Sequence, residues 1–190
     1  MLDNNLIELG TRHTLAVLKS LTPVPGGLCL IENILSQKVL DTLLDYCEHT
    51  TRWEHAYNPS QHIILNRRKV SWELDSIVEV VHTILDNNTP EINRIFNNQL
   101  KFNGVDLWQD LPGYTISEHT DNPIFNASMQ VYIKNLPELH TTFRYLDTTV
   151  NTNPTPNHGY ISDNTVGIPH WMDNSVPNEF TRYSLHATWT

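Results

Sequence analysis

The stretch Leu107-Trp-Gln-Asp-Leu-Pro-Gly-Tyr-Thr-Ile-Ser-Glu-His-Thr-Asp121 ends with an imidazole and a carboxylate two residues apart, at His119 and Asp121. On an extended strand, side chains at positions i and i+2 point to the same face, so these two groups are predicted to lie side by side. Together they would supply two ligands of a 2-His-1-carboxylate site, which binds Fe(II) and leaves coordination positions open. Because His-x-Asp is common by chance, the prediction depends on a third ligand downstream.

The chain around this stretch has the size and composition of one globular domain. It has 190 residues, of which 39% are hydrophobic and 9% aromatic, which is enough for one hydrophobic core. No apolar run approaches the roughly 20 residues that span a bilayer. The apolar run 15–18 is too short for the core of a signal peptide. We therefore expect a soluble, cytoplasmic protein with no membrane segment.

The charge of the chain disfavours a nucleic-acid partner. Its net charge is −9, whereas proteins bind nucleic acids largely through Lys and Arg side chains that neutralise phosphates. The basic cluster Arg67-Arg68-Lys69 is interpreted as a solvated strand edge rather than a phosphate site. Cys29 and Cys47 form no Cys-x-x-Cys pattern, which indicates buried free thiols in a reducing compartment.

The first half of the chain has the spacing of helices. Residues 1–27 form an N-terminal lead with a weak helical pattern that ends at a Pro- and Gly-rich segment. Beyond it, apolar residues recur at helical spacing and Pro90 stands in the first turn of a helix that begins near Thr89. The predicted elements are a strand over 28–33, a helix over 36–49, strands and loops over 53–72, a helix over 71–85 and a last helix from 89 onward. Helices are thus concentrated in residues 36–98.

The second half of the chain has the pattern of short strands separated by Pro, Gly, Asn and Asp. The predicted strands are 102–111, 114–118, 128–134, 141–145, 160–163 and 182–189. In 128–134 apolar and polar residues alternate, which predicts one packed face and one face towards a cavity. Helices followed by strands indicate the α+β class. The need for a ligand pocket favours a double-stranded β-helix, a jelly-roll-like barrel over 100–190, with the helices packed on one sheet.

One segment between the predicted strands lacks their alternating pattern. Residues 147–158 are polar, interrupted by proline and without periodicity. This pattern predicts a loop, and long loops in compact domains are often binding elements. Two interpretations stay open, a lid over a site and a surface insertion.

The chain has ten histidines, and the nine other than His119 are candidates for the third ligand. Five precede the strands, His140 lies only 21 residues after His119, and His158 is in the polar loop. His186 lies on the last predicted strand. His170 is favoured because it opens a short hairpin that returns as the strand beginning at Arg182.

The ordered set of motifs resembles the 2-oxoglutarate/Fe(II)-dependent oxygenases, in particular the prolyl 4-hydroxylase-like branch. It consists of His119-Thr-Asp121, then His170 at 49 residues after Asp121, then Arg182-Tyr-Ser184 beginning 12 residues after His170. The Pro112-Gly-Tyr114 lead-in and the strands at 130–133 and 141–143 are also similar to the family. The resemblance covers about residues 28–189, so it implies a single oxygenase domain over 28–190.

This resemblance implies an iron site and its reaction. His119, Asp121 and His170 would hold Fe(II), with O2 and 2-oxoglutarate as cosubstrates. The implied reaction is oxidative decarboxylation of 2-oxoglutarate to succinate and CO2, coupled to hydroxylation of a substrate C–H bond. Halogenating relatives replace the carboxylate with a small residue, so Asp121 favours hydroxylation.

The resemblance also implies a cosubstrate site. Arg182 would meet the far carboxylate of 2-oxoglutarate, because a guanidinium can donate two parallel hydrogen bonds to a carboxylate and keeps its charge. Ser184 would add a hydroxyl donor, and Tyr132 and Tyr114 are further candidate contacts. One alternative stays open, an ion pair of Arg182 with Glu179 or Asp173.

The substrate and two rival functions are left open by the sequence. The branch favours a peptidyl prolyl residue, while a small molecule is also compatible. One rival is a barrel of the same fold that binds metal or a partner without turnover. The other is a cupin-like metalloenzyme that does not use 2-oxoglutarate, although cupins bring more histidines to the metal.

Overall fold

Four helices and ten strands make up the parts of the chain that the computed structural model describes, residues 3–24, 26–58 and 63–190. The helices are α1 (Asn4–Ser20), α2 (Gln37–His49), α3 (Ser76–Asn87) and α4 (Thr89–Phe96). The strands are β1 (Leu28–Glu32), β2 (Glu54–Asn58), β3 (Ile63–Ser71), β4 (Phe102–Asp110), β5 (Ala127–Lys134), β6 (Thr141–Tyr145), β7 (Thr148–Asn151), β8 (His158–Asp163), β9 (His170–Met172) and β10 (Arg182–Trp189). Short 3-10 turns lie at 72–74 and 164–166.

The strands form two antiparallel sheets. The large sheet has the order β1-β8-β5-β10-β4-β3-β2, and the small sheet has the order β7-β6-β9. A cluster of Leu28, Phe143, Tyr160 and Ile168 lies between them. The Tyr132 hydroxyl of β5 also lies 2.9 Å from the Thr141 hydroxyl of β6. Two antiparallel sheets that face each other in this way form the predicted double-stranded β-helix.

The large sheet has two chemically different faces. Leu185, Leu107 and Val70 pair in one row across β10, β4 and β3, and each is at most 1% exposed. They belong to the main core, which the helices cover. The alternate residues Arg182 and His186 line a cavity on the other face. Period-two alternation therefore separates the core from the site.

Helix α1 packs into the same core as the rest of the chain. The Asp3 side chain accepts a hydrogen bond from the backbone N–H of Leu6 and caps the helix. Leu6 and Leu18 belong to the main core. A Cβ at Gly10 would lie 2.3 Å from Cδ1 of Ile84, so the glycine allows α1 and α3 to approach closely. Helix α1, which lies in the segment predicted as an N-terminal lead, thus packs with the other helices into the main core.

The fold class and most elements were predicted correctly. The α+β class and the helices on one sheet are confirmed, and strands β6 and β10 have the predicted bounds. The helix predicted over 71–85 is shifted, because Asp75 caps α3 by accepting from the N–H of Ile77. Thr89, predicted as the N-cap of the last helix, is instead its first residue, and Asn88 is the N-cap.

Two predictions for the strand region were wrong. Residues 114–118 form no strand, and only His119 makes an isolated bridge beyond them. Within the segment predicted as a loop over 147–158, residues 148–151 form β7. Near the end of this segment, the Asn157 side chain accepts a hydrogen bond of 2.9 Å from the N–H of Leu35 and donates one of 2.8 Å to the Leu35 carbonyl. These two bonds fix Asn157 to the segment just before α2. None of the residues 147–158 lines the cavity described below.

Among the described residues no helix combines the length and the apolar character needed to cross a membrane.

Candidate active site

The two histidines of the predicted triad are backbone partners. The N–H of His119 donates to the carbonyl of His170 at 3.0 Å, and the N–H of His170 donates to the carbonyl of His119 at 2.8 Å. Their imidazole rings lie 4.3 Å apart between centroids. This isolated bridge attaches the irregular segment after β4 to the first residue of β9. It brings residues 51 positions apart onto one side of the barrel.

Backbone carbonyls determine which imidazole nitrogens face the site. Nδ1 of His119 lies 3.0 Å from the carbonyl of Ser117, and Nδ1 of His170 lies 3.1 Å from the carbonyl of Ile168. A carbonyl only accepts, so in the neutral imidazole each Nδ1 carries the proton and each Nε2 has a free lone pair. Burial lowers the pKa of His170, which favours the neutral form that binds metals.

The Asp121 carboxylate completes this group with one oxygen. Its Oδ1 lies 3.9 Å from Nε2 of His119 and 3.6 Å from Nε2 of His170. Its other oxygen, Oδ2, accepts a hydrogen bond of 2.7 Å from the Ser128 hydroxyl. Ser128 is itself within 3.1 Å of the polar atoms of Ser162 and Asn164. This buried network fixes the carboxylate so that Oδ1 faces the two histidines.

The donor set fits one metal ion. The three ligand atoms of His119, Asp121 and His170 all lie within 4.8 Å of one another. Two atoms that share an ion at about 2.1 Å each can be at most about 4.2 Å apart. The imidazole–carboxylate distances of 3.9 and 3.6 Å satisfy this limit, and a shift of a few tenths of an ångström would bring two imidazole nitrogens up to 4.8 Å apart close to it. Two imidazoles and one carboxylate are the ligand set of non-haem Fe(II) sites with open positions. The structure therefore brings the three predicted ligands together.

Arg182 lies in the same cavity but is already paired. It is 2% exposed and lines the cavity with the three candidate ligands. Its Nε and Nη2 lie 2.7 and 2.6 Å from Oδ2 of the fully buried Asp110, and Nη1 lies 3.5 Å from the Leu139 carbonyl. The ion pair with Glu179 or Asp173 considered from the sequence is thus absent, and Asp110 is the partner. Burial lowers the pKa of Arg182, but Asp110 together with the nearby Tyr132 and Tyr114 raises it overall.

The other predicted cosubstrate residues differ in their access to the cavity. Tyr114 lines it, and burial raises the pKa of its phenol. Ser184 is fully buried, and its Oγ accepts a hydrogen bond of 3.2 Å from Nε2 of Gln130, which lines the cavity. The Tyr132 hydroxyl lies between the hydroxyls of Thr141 and Thr152, at 2.9 and 2.7 Å. Tyr132 therefore bonds to the small sheet and is not among the lining residues.

Two further residues that line the cavity were not assigned to the site from the sequence. Arg67, interpreted there as part of a solvated edge, lines the cavity, and its Nε lies 2.5 Å from Oδ1 of Asp110. His186, which received no role, lines both this cavity and a neighbouring one of about 510 Å³. Burial lowers the pKa of His186, which favours the neutral imidazole at the boundary of the two cavities.

Solved structures of similar shape include two prolyl hydroxylases. The Pseudomonas putida prolyl-4-hydroxylase aligns with a TM-score of 0.72 and 14% identity, over 93% of this chain and 98% of that one. The Trichoplax adhaerens prolyl hydroxylase, solved with a peptide of the hypoxia-inducible factor oxygen degradation domain, aligns with 0.68 and 12% identity over 97% and 90%. HygX from Streptomyces hygroscopicus, solved with nickel, 2-oxoglutarate and hygromycin B, aligns with 0.65 and 8% identity over 94% and 86%.

The fold is that of the 2-oxoglutarate/Fe(II)-dependent oxygenases. No protein-family model and no curated protein matches the sequence, so at these identities the likeness is one of fold. The family resemblance inferred from the motifs is confirmed at that level. The oxygenase fold places the candidate metal ligands inside the barrel, between the large and the small sheet.

Proposed function

We propose that the protein is an Fe(II)- and 2-oxoglutarate-dependent oxygenase that hydroxylates an organic substrate and releases succinate and CO2. One observation supports this most strongly. Three metal-binding side chains and a buried arginine line a single cavity of an oxygenase-type barrel. Metal binding alone does not need an arginine. Its positive charge would instead bind a carboxylate of a dicarboxylate cosubstrate.

The chain would hold the metal through His119, Asp121 and His170. Bound Fe(II) supplies the reduction of O2 that is coupled to decarboxylation of 2-oxoglutarate. The carbonyls of Ser117 and Ile168 keep both imidazoles in the tautomer that presents Nε2, and such outer partners orient metal ligands. With three protein ligands, positions stay open for both cosubstrates.

Arg182 would bind the far carboxylate of 2-oxoglutarate. Its contacts to Asp110 and Leu139 leave two of its five N–H groups without an acceptor among the described residues. Ser184, whose oxygen accepts from Gln130, keeps its own proton for the same carboxylate. Tyr114 adds a phenol at the cavity wall. Tyr132 would act through Thr141, which lines the cavity.

The substrate would enter through the second cavity. This cavity shares His186 with the site and is lined by aromatic and charged side chains, among them Trp72, Trp108, Lys69 and Asp106. A peptidyl prolyl residue is the first substrate class to examine, since two of the similar structures are prolyl hydroxylases. A small molecule is the second, since HygX was solved with hygromycin B.

The proposed cellular compartment is the cytoplasm. Cys29 and Cys47 are both buried free thiols. Burial raises the pKa of the Cys47 thiol to about 12, so it is unreactive. Unpaired buried thiols are typical of proteins in a reducing compartment.

Succinate formation from 2-oxoglutarate in the presence of Fe(II) and O2 tests the proposed function. We expect slow succinate release even without substrate, and its loss in His170→Ala. His140→Ala is the matched control, because His140 is a half-buried histidine that pairs with Asp173 and does not line the cavity. Full activity in His170→Ala would refute the assignment of this ligand. A wild type that never consumes 2-oxoglutarate would leave the non-catalytic barrel or the cupin-like chemistry as the explanation.

A further inference from the structure

Three charged residues lie in one row across three neighbouring strands. Asp110 on β4 pairs in register with Arg182 on β10 and with Arg67 on β3. Oδ1 of Asp110 lies 2.5 Å from Nε of Arg67, and Oδ2 lies 2.6 Å from Nη2 of Arg182. One carboxylate therefore joins two guanidinium groups, each through its own oxygen.

This row carries an uncompensated positive charge. Two guanidinium groups against one carboxylate leave one net charge, and the exposed fractions of the side chains are 16% for Arg67, 2% for Arg182 and 0% for Asp110. A buried group of charges whose net charge is not balanced is costly. An anionic ligand in the cavity would remove that cost.

Arg67 is held in place beside the candidate metal site. Its guanidinium carbon lies 4.2 Å from the ring centroid of Trp108 and 4.7 Å from that of Tyr114. Both rings attract the cation and restrict its movement. Arg67 lines the same cavity as His119 and Arg182, so its charge is presented to any ligand bound there.

We propose that Arg67 is a second binding residue for the far carboxylate of 2-oxoglutarate, and that Asp110 is the positioning residue that holds both arginines at it. This inference rests on the proposed function. Asp121 is the other charged residue among those lining the cavity, and with bound Fe(II) it adds one more net positive charge. The site would then carry two positive charges, which the 2-oxoglutarate dianion balances.

The test uses protein loaded with Mn(II), which removes turnover, and measures ligand affinity by calorimetry. The two ligands are 2-oxoglutarate and 2-oxopentanoate, which has the same chain without the far carboxylate. We expect Arg67→Gln to weaken 2-oxoglutarate by about tenfold or more, the scale of a charge-assisted hydrogen bond, and to leave 2-oxopentanoate within about twofold. Arg68→Gln is the matched control, because Arg68 is the next residue on β3 and pairs with His55 outside the site.

The outcomes separate this inference from the proposed function. Equal weakening of both ligands by Arg67→Gln, or no weakening of either, would overturn the role of Arg67 while the oxygenase proposal stands. A wild type that binds Mn(II) but not 2-oxoglutarate would overturn both. Arg67→Lys keeps the charge and covers the case in which the glutamine variant fails to fold. It should weaken 2-oxoglutarate less than the glutamine variant does, and an effect equal on both ligands would again reject the assignment.

Discussion

Asp121→Ala is expected to reduce affinity for Fe(II) or Mn(II) by more than about 100-fold and to abolish succinate formation. Asp121 is the anionic member of the candidate ligand set, and its Oδ1 lies between two imidazole nitrogens. Loss of a ligand should exceed the roughly 10- to 100-fold loss that follows removal of an outer partner. Calorimetric titration with Mn(II) measures the affinity, and the unfolding midpoint of the metal-free protein shows whether the variant is folded.

Ser128→Ala is the graded control for this experiment. It removes the hydrogen bond to Oδ2 of Asp121 and leaves the ligand oxygen in place, so the affinity should fall by only about 10- to 100-fold. Metal affinity in Asp121→Ala equal to that of the wild type would show that the carboxylate is not a ligand. The two histidines would then need another explanation.

Asp110→Asn is expected to destabilise the protein by about 3–5 kcal/mol, because it leaves two buried guanidinium groups without their anion. Asp110 is fully buried and is shared by Arg67 and Arg182. The free energy of unfolding from urea titration, measured without ligands, gives the effect.

Asp106→Asn is the matched control for Asp110→Asn. Asp106 lies four residues earlier on β4 and pairs with Lys69 at 3.6 Å, with 28% and 40% of the two side chains exposed. An ion pair this exposed should contribute less than about 1 kcal/mol. Equal losses in the two variants would contradict the view that the row through Asp110 is a buried charge network.

The part of the candidate site that depends on residues close together in the sequence could be predicted. His119 and Asp121 are two residues apart, and Arg182 is at an even offset from Ser184 and His186 on one strand. Alternation places Arg182, Ser184 and His186 on a common face of β10, whereas His119 and Asp121 lie side by side outside a regular strand, where only His119 makes a bridge. His170 needed the additional order of the motifs, because nothing local marks its pairing with His119.

The positions of Arg67 and Asp110 depend on strand register, which the sequence does not state. Their pairing joins β3 to β4 across 43 residues. A weaker signal was present, since Val70 faces the core and alternation then places Arg67 on the opposite face. That face was interpreted as solvent because the partner strand was unknown.

The missed strand β7 has a local cause. Leu146 and Asp147 link β6 to β7 with φ of 48° and 61°, a two-residue hairpin turn with both residues left-handed. Asn-Gly or Asp-Gly is the usual sequence signal for this turn. The chain has Leu146-Asp147 instead, so the sequence did not indicate a hairpin. Residues 114–118 do not form the predicted strand for another local reason. Gly113 has a φ of 80° and turns the chain, and few backbone hydrogen bonds join this segment to residues 172–176.

The proposed function requires that His119, Asp121 and His170 hold Fe(II) with 2-oxoglutarate bound beside Arg182. The most direct test is an anaerobic titration of the Fe(II)-loaded protein with 2-oxoglutarate, followed by visible absorption. We expect a metal-to-ligand charge-transfer band that saturates at one 2-oxoglutarate per protein. A protein that binds Fe(II) yet develops no band at saturating 2-oxoglutarate would contradict the proposed function.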